Sequence, residues 1–243
     1  MADIIKQVTK YILAPLNEPE FSGQVAREHG GEGQDVPLDL NLDAIRQLDG
    51  GILEGYQQEG EELLGCYRGM SSPGTITLFG DTLRRFFWAI IGRMAQTGHS
   101  FWHEDVESLA HLTVLKTWRH EQFHLFVDIQ EHLAPGQATA GRLMEEALAS
   151  AHSWRQIHVA SPVKRIHQSL LRPFLSQAYD YGRLPGYSDW PQYDSDTLFQ
   201  GGLLKFFNRP EFSFLESSGV PVGRLLVEQL PVMDAVSTIN IFA

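Results

Sequence analysis

The sequence predicts an α+β fold that is mostly helical, with one small antiparallel sheet. Two observations lead there. The strand-like runs Leu64–Gly69 and Thr75–Phe79 flank Ser71-Ser72-Pro73-Gly74, which is turn chemistry, so the pair reads as a hairpin. Beyond Gly80 the apolar residues recur at helical spacing, punctuated by turns that carry Pro and Gly. With 243 residues, 43% of them hydrophobic and 20% charged, the chain is long and apolar enough to bury a substantial core.

Residues 1–59 read as an N-terminal extension of helix and loop. Met1 to Leu13 holds a short helix, and residues 29–37 are a polar, Gly-rich loop. Leu42 to Leu64 is amphipathic and helix-compatible, broken at Gly50-Gly51. Residues 60–182 read as the core. After the hairpin comes a helix over Thr82 to Ala95. The next helix is expected to be capped by Ser100, with Glu104, Asp105 and Glu107 in its early turns. It carries Leu109, Leu112, Leu115, Trp118, Phe123 and Phe126, and Ala134-Pro135-Gly136 stops it. A helix over Thr139 to His152 follows, then one from Ser161-Pro162 to Tyr181. Pro162 suits a first helical position, whereas Pro173 should kink or split that segment. Residues 183–243 form a C-terminal extension packed on the core. Its parts are a loop up to Ser195, a helix over Asp196 to Phe207, and strand-compatible runs at Arg224–Gln229 and Val236–Phe242.

Composition removes several functions. A net charge of −11 argues against a nucleic-acid surface. Cys66 is the single cysteine, so neither an intrachain disulfide nor a cysteine-rich metal cluster exists, which suits a reducing compartment. Asp3, Lys6 and Lys10 interrupt the N-terminal apolar residues, unlike a secretory signal, and the apolar run Phe86–Ile91 is too short to span a bilayer. The expectation is a cytoplasmic protein without membrane contact. No Gly-rich phosphate loop is followed by Lys-Ser or Lys-Thr.

The chemistry concentrates in His120-Glu121-Gln122-Phe123-His124. Two histidines four apart on a helix lie about 40° apart on one face and ~6 Å apart along the axis, close enough to grip one ion. Glu121 follows the first of them directly, placed to take a proton from water beside the ion. The flanks, Thr117-Trp118-Arg119 before and Leu125-Phe126 after, are those of a half-buried helix.

This motif resembles the zincin metallopeptidases, and the resemblance covers roughly residues 60–182. It implies a bound Zn²⁺ with His120 and His124 as ligands and Glu121 as the catalytic base. The metzincin continuation is missing, since Val127 and Gln130 stand where its Gly and His would fall. Met144-Glu145-Glu146-Ala147-Leu148-Ala149-Ser150 instead resembles the glutamate ligand helix of the gluzincins, in a compact form. That implies Glu146, rather than Glu145, as third ligand, and Ser150 as the residue that supports a histidine from behind. Cys66, Asp180 and His152 are rival ligands. The resemblance also asks for an oxyanion donor, for which His152, His158, His167, Tyr179 and Tyr181 are all candidates. It assigns to the edge of Thr75–Phe79 the lining of a peptide cleft. The function implied is zinc-dependent peptide hydrolysis, with a protein or peptide as substrate. Residues 1–59 and 183–243 lie outside the resemblance and are expected to cover the cleft, set specificity or bind a protein partner. Hydrolysis of another amide or acyl group, or a non-catalytic protein with a structural metal, are the alternatives.

Overall fold

The computed structural model describes residues 2–21, 37–54, 63–69, 75–133, 140–158, 160–208 and 238–242. In order these form α1 (Ala2–Leu13), α2 (Leu42–Asp49), β1 (Gly65–Arg68), β2 (Thr75–Phe79), α3 (Gly80–Gln96), α4 (His103–Leu133), α5 (Arg142–His158), α6 (Gln168–Ala178), α7 (Asp196–Phe207) and β3 (Thr238–Phe242). Short 3-10 turns cover Ala14–Asn17, Ser161–Arg165 and Tyr187–Tyr193. The fold is mostly helical with a small sheet, as expected from the pattern. No described helix is long and apolar enough to cross a membrane.

Helix α4 is the axis of the molecule. Its 31 residues span about 46 Å. It packs against α1, α5, the two strands β1 and β2, and the 161–165 turn. A helix covered from several sides needs apolar residues on more than one face. Leu109, Leu112, Val114, Trp118, Phe123 and Val127 meet that need, and all are buried. Behind it α3 buries Phe86, Phe87, Trp88, Ile90 and Ile91. The Trp88 indole N–H donates to the Ile12 carbonyl at 2.8 Å, fastening α1 to α3. A second apolar cluster joins Phe123 and Val127 of α4 to Leu148 and Ala149 of α5 and to Phe199, Leu203 and Phe206 of α7.

Several expectations about local structure change. Helix α4 begins three residues after Ser100, which does not cap it. The Asp105 carboxylate accepts the Trp102 N–H at 3.3 Å, closing the first turn from inside the helix. The segment predicted as one helix from Ser161 to Tyr181 does divide, but at Ile166-His167 rather than at Pro173. His167 caps α6 by accepting the Ser169 N–H, and the helix runs through Pro173. The carbonyl that Pro173 leaves without an N–H belongs to Ser169, an exposed residue that water reaches. Helix α2 stops at Gly50, which takes the left-handed conformation with φ of 56°. The turn 70–74, the stop at 134–136, residues 29–36 and the run 224–229 lie outside the described residues.

The sheet has the order β1-β2-β3. β1 and β2 are antiparallel with Gly65 opposite Leu78, while β2 and β3 run parallel with Thr75 opposite Thr238. β2 is therefore the middle strand. Its backbone groups are taken on both sides, so Thr75–Phe79 cannot line a cleft with a free edge. β1 lies against α4 instead, and closely: a Cβ on Gly65 would sit 2.9 Å from Thr117 Cγ2 and 3.2 Å from Glu121 Cγ.

Gly186 brings the 187–193 turn onto the start of α5. Its φ of 82° lies in a region that side chains disfavour, and a Cβ there would come within 2.6 Å of the Leu143 carbonyl oxygen. Gly186→Ala should lower stability by roughly 1–3 kcal/mol. Gly141→Ala, which meets nothing within 4 Å, should be neutral or slightly stabilising; denaturant titration of the two variants checks the contrast.

Candidate metal centre

Helices α4 and α5 face each other across an unusual seam. Of the eleven buried polar or charged side chains among the described residues, nine lie on these two helices, which marks the seam as more than packing. On α5, Ala147, Ala149, Ala151 and Ser153 are small and buried, which allows its close approach to neighbouring helices. The hydroxyls look after themselves. Thr113 and Thr117 donate to carbonyls one turn back, and Ser153 donates to the Lys116 carbonyl.

The remaining polar groups converge. His120 Nε2 and Glu146 Oε2 are 3.2 Å apart, His120 Nε2 and His124 Nε2 3.3 Å, and His124 Nε2 and Glu146 Oε2 3.4 Å. These three atoms form a nearly equilateral triangle. An ion holding tetrahedral ligands at 2.0–2.1 Å would space them about 3.3–3.4 Å apart, which is the spacing found. His120, His124 and Glu146 are thus a buried cluster that could hold a metal ion.

The atoms behind the triangle fix its orientation. Glu145 Oε1 lies 2.7 Å from His124 Nδ1, so that nitrogen carries a proton and donates, and Nε2 is the atom turned to the triangle. Ser150 Oγ stands 3.4 Å from His120 Nδ1 and is fully buried. Tyr187 stacks on the His120 ring, with centroids 5.5 Å apart and planes 10° from parallel, and its hydroxyl donates to Glu146. Glu145 and Glu146 therefore divide the work: Glu146 enters the triangle, and Glu145 holds His124 from outside it.

Burial works against charge at both ends of the His124–Glu146 contact, and hydrogen bonding overcomes it. Burial pushes the His124 imidazole down, yet its bonds to Glu145 and Glu146 hold it up at about 10. Burial likewise pushes Glu146 up, yet His120 and His124 hold it well below the usual carboxylate range. A cation held by the three residues would take the place of the His124 proton that faces Glu146.

Glu121 is buried beside the triangle but outside it. Burial raises its pKa, the two histidines lower it, and the Tyr67 backbone N–H donates to its carboxylate. It lines a pocket of about 490 Å³, including space continuous with solvent, together with His120, Lys116, Tyr181, Leu184 and Tyr187.

The other candidates fall elsewhere. Tyr181 does line the pocket. Tyr179 is buried with its hydroxyl on Ser153 Oγ at 2.8 Å. His158 is exposed and bonded to the Trp154 carbonyl, and His167 is the exposed cap of α6. His152 points away from the triangle into Phe123, Phe126 and Phe199. Cys66 on β1 and the exposed Asp180 are not part of the cluster. Two residues of the site went unsingled in the sequence. Lys116 repeats the spacing of His120 and His124 one turn earlier, a signal that a helical projection displays. Tyr187 offered no such signal, because its place depends on the Gly186 approach.

No family model, no curated protein and no solved structure matches this chain.

Two predictions follow from the geometry. Glu145→Ala should weaken metal binding about 10–100-fold while the chain stays folded. Glu146→Ala should cost far more, because it deletes a corner of the triangle; calorimetric titration with Zn²⁺ measures both. His152 gives a pH signature. Burial, then the nearby Arg119, Arg155 and His120, depress it to about 3, and its Nε2 has no hydrogen-bond partner among the described residues. The unfolded chain binds a proton near 6.5 that the fold refuses until about 3, so acid favours unfolding by about 1.4 kcal/mol per pH unit in that window. His152→Phe should remove this slope, and the stability difference from the parent should grow as pH falls from 7.5 to 5 in denaturant titrations.

Proposed function

We propose that this chain is a zinc-dependent hydrolase of amide bonds, of the gluzincin type that its motif resembles, with Glu121 as general base. The observation that carries the reading is the His120–His124–Glu146 triangle with Glu121 next to it at the pocket wall. Two imidazoles and a carboxylate leave one tetrahedral corner open, which is the pattern of a catalytic rather than a structural zinc. Iron(II) also accepts two histidines and a carboxylate. A further carboxylate aimed at the pocket, outside the ligand set, favours hydrolysis.

When bound, zinc would polarise the substrate carbonyl and make water acidic enough to attack at neutral pH. Glu121 takes a proton from that water as its oxygen adds to the carbonyl carbon, and returns it to the amine as the C–N bond breaks. Burial raises its proton affinity, which suits a group that must both accept and release a proton. Glu145 keeps the His124 Nδ1 proton in place and Ser150 backs His120 Nδ1, with both Nε2 atoms turned to the triangle. Tyr181 flanks the pocket and is the candidate for donating to the developing oxyanion, since the Tyr187 hydroxyl is given to Glu146.

Peptides are the substrate class favoured by the strand beside the pocket. β1 crosses α4 at Glu121 and is an edge strand of the described sheet, with the Tyr67 N–H on its outer side given to Glu121.

The test separates metal from chemistry. Glu121→Gln should keep one zinc per chain by elemental analysis and lose activity on a mixed peptide library by at least about 10²-fold. A folded, zinc-free parent protein would refute the reading.

A further inference from the structure

Lys116 takes no part in the chemistry above, yet it shares the pocket with the residues that do. It stands one turn before His120 on α4, on the same helix face and ~6 Å along the axis. Its ammonium lies 5.0 Å from the ring centres of Phe86 and Tyr181 and 5.3 Å from that of Tyr179. The residue is only 4% exposed.

Taking an ammonium out of water is costly, and aromatic faces return a fraction of that cost. Glu121 draws the lysine toward its charged form, against the burial that drives it down to about 7. Lys116 and His120, a corner of the triangle, thus line one pocket from adjacent turns of α4. Leu63, Leu64 and Leu184 supply apolar wall to the same pocket.

We propose that Lys116 anchors the free carboxylate of the substrate, so that the bond cut is the amide next to a carboxy-terminal amino acid. This rests on the hydrolase reading of the His120–His124–Glu146 site. The geometry suits it: in a carboxy-terminal residue the carboxylate carbon is three bonds from the scissile carbonyl carbon. Both poles of the substrate therefore fit within one helical turn, with the carbonyl toward the triangle and the carboxylate toward Lys116. The reaction balances as amide plus water giving a carboxylic acid and a free amino acid, the Glu121 proton passing to the departing nitrogen. The apolar wall takes the side chain of the released residue, favouring a large aliphatic or aromatic one.

Binding without turnover tests this. N-acetyl-phenylalanyl-leucine and its C-terminal carboxamide are titrated calorimetrically into zinc-loaded Glu121→Gln protein, with zinc content measured on the same samples. The free acid is expected to bind at least tenfold more tightly than the carboxamide. In the same background Lys116→Met should bring the acid down to the carboxamide's affinity and leave the carboxamide unchanged. Equal binding of acid and carboxamide by zinc-bearing protein with Lys116 intact overturns the anchor and leaves the hydrolase reading standing. A folded chain that takes up no zinc overturns both. Should Lys116→Met not fold, the acid–carboxamide comparison on the Lys116 protein decides alone.

Discussion

A carboxylate buried against two imidazoles in a helix–helix seam is tolerable only when all three groups settle into one protonation pattern. In this protein the pattern is set by Glu146 with His120 and His124, at 3.2 and 3.4 Å respectively. Much else in the fold serves that contact. The small buried residues of α5 allow its approach to α4. The Glu145 carboxylate fixes a proton on His124 Nδ1, and Ser150 stands behind His120. The 187–193 turn, brought in at Gly186, lays Tyr187 over His120 and onto Glu146. Had the seam served packing alone, apolar side chains of similar volume would fill it at lower cost.

The seam also explains why α4 is so long and so well covered. A site held to tenths of an ångström needs rigid elements beneath it. α4 supplies two corners of the triangle, Glu121 and Lys116 from a single stretch of backbone, and α5 supplies the third corner. Phe123 and Val127, beside the ligands on α4, lock it to α5 and α7, so the polar groups are braced by apolar neighbours. β1 closes the remaining side, where Gly65 leaves room for Glu121 and a larger residue would collide with it.

What the sequence made legible was local. Two histidines four apart and a Glu pair on the next helix are short-range patterns, and helical geometry turns each directly into a direction in space. The hairpin was legible for the same reason, since its strands and turn are adjacent. What escaped depended on distant contacts. The parallel pairing of Thr238–Phe242 with Thr75–Phe79 joins segments more than 150 residues apart, and it converts an expected edge strand into the middle one. His152 looked as eligible as Ser150 on the same helix, and only the packing of Phe199 and Phe126 shows that it faces a core. Tyr187 belongs to this class as well. Ser100 and Pro173 misled for a different reason: capping by Asp105 and by His167 outweighed single-residue preferences.

The central claim is that two imidazoles and one carboxylate surround a zinc with a corner left for water or substrate. X-ray absorption at the zinc edge of the purified, zinc-loaded protein tests it most directly. The account predicts about four nitrogen or oxygen neighbours at 2.0–2.1 Å, two of them showing the outer-shell scattering of imidazole, and no sulfur near 2.3 Å. A zinc bound through Cys66 sulfur, or one without imidazole scattering, would contradict it.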